Sequence, residues 1–265
     1  MNNFVYRRYT YSNCLQDLIN PDSPEPVKLM ASNFLKKIVH GNFCLMVTLI
    51  DDVSSSTAYA PVAINHITQA FKNVICTTFD NCIITLIGGM SSRNLTKKET
   101  IMIENITKIL NQVYSVNGIS NCFSCLEEIP IYYPQAYYTT QLKRKGTTYY
   151  KDVTGPASMV MTLQNVPYET FVHPALEELL AYDEEHNTQY FDTLRIYSLY
   201  LHDKEKASSE LGIHRNTLLY RLNKIQEIFD LPFEEPETAL YLVNSFEFYQ
   251  VKKMMDAQNR VGGSD

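Results

Sequence analysis

Apolar positions change their period along this chain, and the change divides it in two. Up to Lys151, helical stripes alternate with short runs of strand type. From Ala157 to Met255 only helical spacing with polar breaks remains. In the first part, Leu29, Met30, Phe34, Leu35 and Ile38 share one stripe, which predicts a helix over 27–39 closed by Gly41. Residues 43–50 are apolar on both faces, as in a strand covered by helices above and below, and Asp51-Asp52 ends the run. A second helix is predicted over 60–72. Residues 74–78 and 82–87 read as the strands of a hairpin turning at Phe79-Asp80-Asn81, with Gly88-Gly89 ending it. A helix over 100–113, a short strand over 114–120, a helix through most of 126–143 and a last strand over 147–151 complete the series.

The order strand, helix, two strands, helix, strand, helix, strand predicts an α+β domain around one central sheet, followed by an all-α domain. The expected divisions are an N-terminal arm and Pro-rich linker (1–27), the α+β domain (28–155) and a linker (156–165). The helical domain (166–255) and a tail (256–265) follow. The stiff break is Pro21-Asp22-Ser23-Pro24-Glu25-Pro26.

Composition narrows the function classes. Of the 265 residues, 45% are hydrophobic, enough for a real core. No run of about eighteen apolar residues occurs, so no membrane span is expected. Residues 1–11 lack the apolar centre of a secretion signal. Cys44, Cys76 and Cys82 sit in strand-like runs as small hydrophobes, which suits a reducing cytoplasm. Cys122-Phe123-Ser124-Cys125 is a lone CxxC without a second ligand pair, and it reads as two thiols in a loop. No P-loop, GxGxxG or HExxH is present, and no cofactor, metal or catalytic residue is expected. The net charge of -6 leaves DNA binding open, because phosphates respond to local charge.

One stretch departs from that acidic average. Lys204 to Leu211 predicts a short helix with Ala207 at a close crossing. Gly212 follows as a cap permitting a tight turn, and Ile213 plugs it. A second helix starts near Arg215 or Asn216. Glycine in a turn of a few residues between two helices is the helix-turn-helix pattern. In the second helix Leu218, Leu222, Ile225 and Phe229 recur at core spacing, and no acidic residue occurs from His214 to Ile225. The candidate DNA-binding residues are His214, Arg215, Asn216, Thr217, Tyr220, Arg221 and Lys224. Arg215 and Asn216 are types that pair bidentately with guanine and adenine edges. Thr217, Tyr220, Arg221 and Lys224 are types that bond phosphates.

Leu211-Gly212-Ile213-His214-Arg215-Asn216-Thr217-Leu218-x-Tyr220-Arg221-Leu222 resembles the C-terminal helix-turn-helix of PucR/CdaR-type transcription regulators. Upstream, His173-Pro174-Ala175-Leu176, Leu180-x-Tyr182-Asp183 and Thr193-Leu194-x-x-Tyr197 resemble the same module, so the likeness covers the last third of the chain. In that family the module follows a degenerate GGDEF-like domain, and residues 28–155 are similar to one in order of elements. The turn Thr78-Phe79-Asp80-Asn81-Cys82 lacks the glycines and paired acid of an active diguanylate cyclase, and Asp51-Asp52 reads as a solvated turn. The resemblance therefore implies a regulator and not an enzyme. Family members commonly carry an N-terminal sensor, whereas here about 27 residues precede the α+β region.

The expected function is sequence-specific binding of double-stranded DNA by a cytoplasmic homodimer. The helix of about 214–229 would lie in the major groove, and the α+β domain would serve dimerisation or sense a small-molecule effector. Two alternatives stand beside it. One is a nucleotide-binding signalling protein or enzyme built on the α+β domain. The other is a protein-interaction module whose helix-turn-helix is structural.

Overall fold

The computed structural model describes residues 10–50, 54–91, 95–114 and 116–262, apart from the side chains of 54–57 and 258–262. The chain divides into two units, Met1–Ser158 and Met159–Asp265.

The first unit is built on five strands: β1 (Asn42–Leu49), β2 (Val74–Phe79), β3 (Cys82–Met90), β4 (Val116–Ile119) and β5 (Gly146–Tyr149). Their order across the sheet is β2-β3-β1-β4-β5, antiparallel except for the β4–β5 pair. Helices α1 (Tyr11–Ile19), α2 (Glu25–Leu35) and α5 (Ile129–Gln141) cover one face. Helices α3 (Ser54–Ala70) and α4 (Lys97–Leu110) cover the other. The period-two rule shows in β1. Phe43, Leu45 and Val47 enter the first core, and Cys44 and Met46 enter the second. The expected double burial of this strand is thus met by two helical layers, and Cys44, Cys76 and Cys82 are all buried.

The β2–β3 hairpin turns on two residues, Asp80 and Asn81, at φ 45° and 55°. Positive φ at both central positions is the type I′ geometry, whose twist matches that of the flanking strands.

Four differences from the sequence reading have physical causes. Residues 10–19 are not a bare arm. Thr10 caps α1 by accepting from the Asn13 N–H, and Cys14, Leu15, Leu18 and Ile19 are buried in the first core. This helix also guards the sheet edge, since Ser12 Oγ meets Thr77 Oγ1 at 2.7 Å and Gln16 donates to the Thr78 carbonyl at 2.8 Å. Gly88-Gly89 does not end the hairpin but lies inside β3, where the register with β1 shifts, pairing Phe43 with Gly88 and Asn42 with Met90. Gly89, at φ 83°, is the extra residue of this bulge. Asn73 holds it in place, because its backbone carbonyl accepts from Gly88 and its side chain bonds His40 at both N–H and carbonyl. The expected 156–165 linker falls largely within α6 (Thr154–Leu163), where the division between the units also falls. The expected tail is largely a continuation of the last helix to Gly262. The Asp51-Asp52 strand end lies outside the described residues.

Gly118 on β4 shows why a strand position excludes a side chain. A Cβ built there would stand 2.2 Å from the Ala136 carbonyl oxygen, because α5 crosses β4 at backbone contact. Next to it, Asn117 is fully buried yet satisfied, accepting from Thr48 Oγ1 at 2.7 Å and donating to Asn111 Oδ1 at 2.9 Å.

The second unit is helical. After a 3-10 turn at Tyr168–Thr170 come α7 (Ala175–His186), α8 (Tyr190–Leu199), α9 (Lys204–Leu211), α10 (Arg215–Phe229) and α11 (Pro236–Gly262). Helix α8 is central and packs against α7, α9, α10 and α11. Leu194, Tyr197, Ala207, Leu218, Leu222, Ile225, Leu242 and Phe246 belong to the shared core.

Candidate DNA-binding site

Helix α9 begins where Asp203 accepts from the N–H groups of Glu205 and Lys206, each at 3.1 Å. These backbone bonds, led by that of Lys206, hold the Asp203 carboxyl below its ordinary range. Ala207 is fully buried, as a close helix crossing requires. The helix ends at Gly212, at φ 64° in the left-handed region. The Gly212 N–H reaches the Ser209 carbonyl and the Ile213 N–H the Ser208 carbonyl, each at 3.1 Å. This is a Schellman cap, which satisfies the last carbonyls and reverses the chain within three residues.

Helix α10 starts at Arg215. His214 caps it, its Nδ1 accepting from the Asn216 N–H at 3.2 Å, which puts the proton of the neutral ring on Nε2. Leu218, Leu222 and Ile225 are buried, and Phe229 is half-buried against the edge of the Tyr182 ring. The opposite face is open, with Asn216, Thr217, Tyr220 and Asn223 all exposed and Tyr220 at 61%, and His214 and Arg215 at the start of the helix are exposed too. This face can meet base edges and phosphates without first moving a core residue.

Besides the capping His214, two of the seven candidates have their side chains engaged within the unit. Arg221 is half-buried and donates from Nη1 to Thr193 Oγ1 at 3.2 Å and from Nη2 to Gln189 Oε1 at 3.1 Å. It ties α10 to the first turn of α8. Lys224 pairs with Glu227 at 2.7 Å, and that carboxylate raises its pKa. A phosphate would have to draw it away from Glu227, an exchange that an exposed pair makes at little cost.

The support for this face comes from Asp183 and Thr193, which the sequence pattern includes without a role, and from Gln189, which it does not include. The Asp183 carboxylate accepts from the N–H groups of Tyr190 at 2.7 Å and Phe191 at 2.8 Å, and from the Thr188 hydroxyl. It thereby caps α8 from the end of α7. A signal was present in sequence, since an acid just before a left-handed Asn187 and a new helix is placed to take up orphan amides. Gln189 and Thr193 gave no such signal.

His173 opens α7. Its Nδ1 accepts from the Ala175 N–H at 3.2 Å, its own N–H donates to Ser245 Oγ at 2.9 Å, and its ring meets the Tyr241 edge. Burial lowers its pKa and the nearby Glu178 opposes the shift. The folded state therefore prefers neutral His173, while the unfolded chain takes up a proton at the ordinary value near 6.5. Stability from this group is present above that value and is lost as pH falls through it. The thermal midpoint of the helical unit should drop between about pH 7.5 and about pH 5.5. His173→Asn, which keeps a capping acceptor, should flatten that drop. An unchanged drop in the variant would rule His173 out as its source.

Among the described residues no group of three or more His, Cys, Asp or Glu side chains is placed to hold a metal ion. No helix among them is long and apolar enough to cross a membrane.

No curated protein matched the sequence. A solved structure, that of a regulator of polyketide synthase expression from Bifidobacterium adolescentis, is similar at 16% identity. The match covers 91% of this chain and 98% of that one, with a TM-score of 0.43. The specific match is local and coincides with the elements just described: residues 190–246, from the first residue of α8 into α11, match the PucR C-terminal helix-turn-helix domain.

Proposed function

We propose that the protein is a sequence-specific DNA-binding transcription regulator that acts as a cytoplasmic homodimer. The observation that carries this reading is the open face of α10, which exposes Arg215, Asn216, Thr217 and Tyr220 and holds no acid from His214 to Ile225 in a chain of net charge -6. The match of residues 190–246 to a PucR-type helix-turn-helix supports it. Helix α10 lies in the major groove. Arg215 and Asn216 read base edges from its first turn, and Thr217, Tyr220 and Lys224 bond the backbone. His214 ends the turn beside the phosphates. Arg221 serves by holding α10 on α8, so its loss loosens the reading helix without removing a DNA contact. One helix reads only a few base pairs, so two copies are needed on a two-fold site. The α+β domain, GGDEF-like in its order of strands and helices and without a catalytic turn, provides dimerisation or takes an effector. In this reading the α+β domain takes in α1, whose Cys14, Leu15, Leu18 and Ile19 are buried in its core, and the helical domain spans 166–255.

The test is selection of bound fragments from sheared genomic DNA by the purified full chain. The expected result is an enriched sequence with two-fold symmetry whose half-sites lie about 10 base pairs, or a multiple of that, apart. Enrichment without a shared sequence would reduce the protein to a non-specific binder. No enrichment at low salt would overturn the reading.

A further inference from the structure

The segment after β4 returns across β1 before α5 begins. There Phe43 and Phe123 exchange both backbone hydrogen bonds, 2.8 Å from the Phe43 N–H and 2.9 Å from the Phe123 N–H. Their rings lie 5.7 Å apart in the core shared with α1, α2 and α5. Further along β1 the register is that of Met46 with Ile119, so the returning segment carries one extra residue between the two pairings, and Cys44 faces Asn121 and Cys122 together. The period of two turns both thiols to the other face, and both pack in the core beneath α3 and α4. Residues that face one another across antiparallel strands have Cα atoms about 4.5–5.5 Å apart. A disulfide spans Cα separations of about 4.4–6.8 Å. Both cysteines are free thiols.

We propose that Cys44 and Cys122 form a peroxide-reactive thiol pair that closes into a cross-strand disulfide. The pair has an entrance. Cys44 is fully buried, but Cys122 is half-buried and lines an open cleft of about 370 Å³ with Asn42, Ser91, Ser124, Glu128 and Tyr132. Peroxide attacked by Cys122 sulfur loses its O–O bond. One oxygen leaves as water, or as an alcohol from an alkyl peroxide, and the other stays as the Cys122 sulfenic acid. Cys44 sulfur then attacks Cys122 sulfur and the hydroxyl leaves as a second water. The two thiols together give up two electrons and two protons to the peroxide. Cys125, three residues on and exposed, takes no part.

The charges around the pair set its pH response. Burial and then the Glu99 carboxylate of α4 push the Cys122 thiol up, Lys151 beyond β5 opposes them, and Cys44 faces it from β1. Glu128 adds a carboxylate to the cleft wall. The nucleophilic thiolate is scarce at neutral pH, so closure is slow there and accelerates as pH rises.

The experiment treats the full chain with hydrogen peroxide, stops the reaction in acid, alkylates it under denaturing conditions and maps the unreduced peptides by mass spectrometry. Wild type and Cys125→Ser should both yield a peptide joining Cys44 to Cys122, faster at higher pH and absent after reduction. Cys122→Ser should yield none and leave Cys44 alkylated. Should Cys44 alkylate fully in treated wild type, whether Cys122 has joined Cys125 or gone to a sulfinic acid, the proposal is overturned.

Discussion

Gly118→Ala is expected to destabilise the α+β unit by about 3 kcal/mol or more, at the top of the range for overpacking a core. The added methyl would stand 2.2 Å from the carbonyl oxygen of Ala136, 2.9 Å from Thr140 Cγ2 and 3.1 Å from Thr139 Cβ. The nearest of these is helix backbone, so no rotamer change relieves the contact. Helix α5 would have to lift from the sheet, and β4 is bonded to β1 on one side and β5 on the other. Lifting α5 also opens the core in which Leu126, Ile129 and Ala136 are fully buried. The measurement is the urea midpoint of the residue 1–158 transition, followed with a probe in that unit. A loss below about 1 kcal/mol, within the ordinary run of substitutions, would mean that α5 stands off β4 further than the geometry gives.

Asp183→Ala should have the next largest effect, about 3 kcal/mol lost from the helical unit. Hydrogen bonds to a charged group are each worth about 1.5–3 kcal/mol, and the Asp183 carboxylate takes two amide donors and a hydroxyl. The alanine would leave the Tyr190 and Phe191 amides without their acceptor at the start of a helix whose first residues are buried. Because α8 packs against four other helices, the loss reaches α10 through the core and through Gln189 and Thr193, which hold Arg221. Asp183→Asn keeps one oxygen acceptor and should lose about half as much. Chemical denaturation of both variants checks the ranking. Equal losses for the two would assign the effect to charge instead of to the number of bonds.

What the sequence made legible was local. Helix α9 runs from Lys204 to Leu211 as its spacing implied, because Asp203 and Gly212 are capping residues at its two ends. The hairpin turn was legible because Asp80-Asn81 tolerates two positive φ angles between apolar runs. The buried stripe of α10 followed from period alone. What remained hidden was decided by partners remote in the chain. Gly88-Gly89 looks like a stop signal until Asn73 and His40 are seen fixing it as a bulge. The apolar stripe of α1 is only nine residues long and precedes a Pro-rich break, so it lacked the length to stand out from an arm. Arg221 and Lys224 were readable as basic residues of one helix. Their present engagements depend on side chains at Gln189, Thr193 and Glu227, the first two on another element or at its start.

The most direct test of the regulator reading is fluorescence anisotropy with a DNA fragment from upstream of the protein's own gene. It would be titrated at several salt concentrations with wild type, Arg215→Ala and Lys224→Ala. The expected result has three parts. Wild type prefers the fragment over scrambled DNA. Arg215→Ala erases most of that preference, a loss of about 1–3 kcal/mol in discrimination. Lys224→Ala weakens all DNA alike and lowers the salt slope by about one. If wild type binds neither DNA at low salt, or if Arg215→Ala keeps the full preference, then α10 is not the reading helix and the central claim fails.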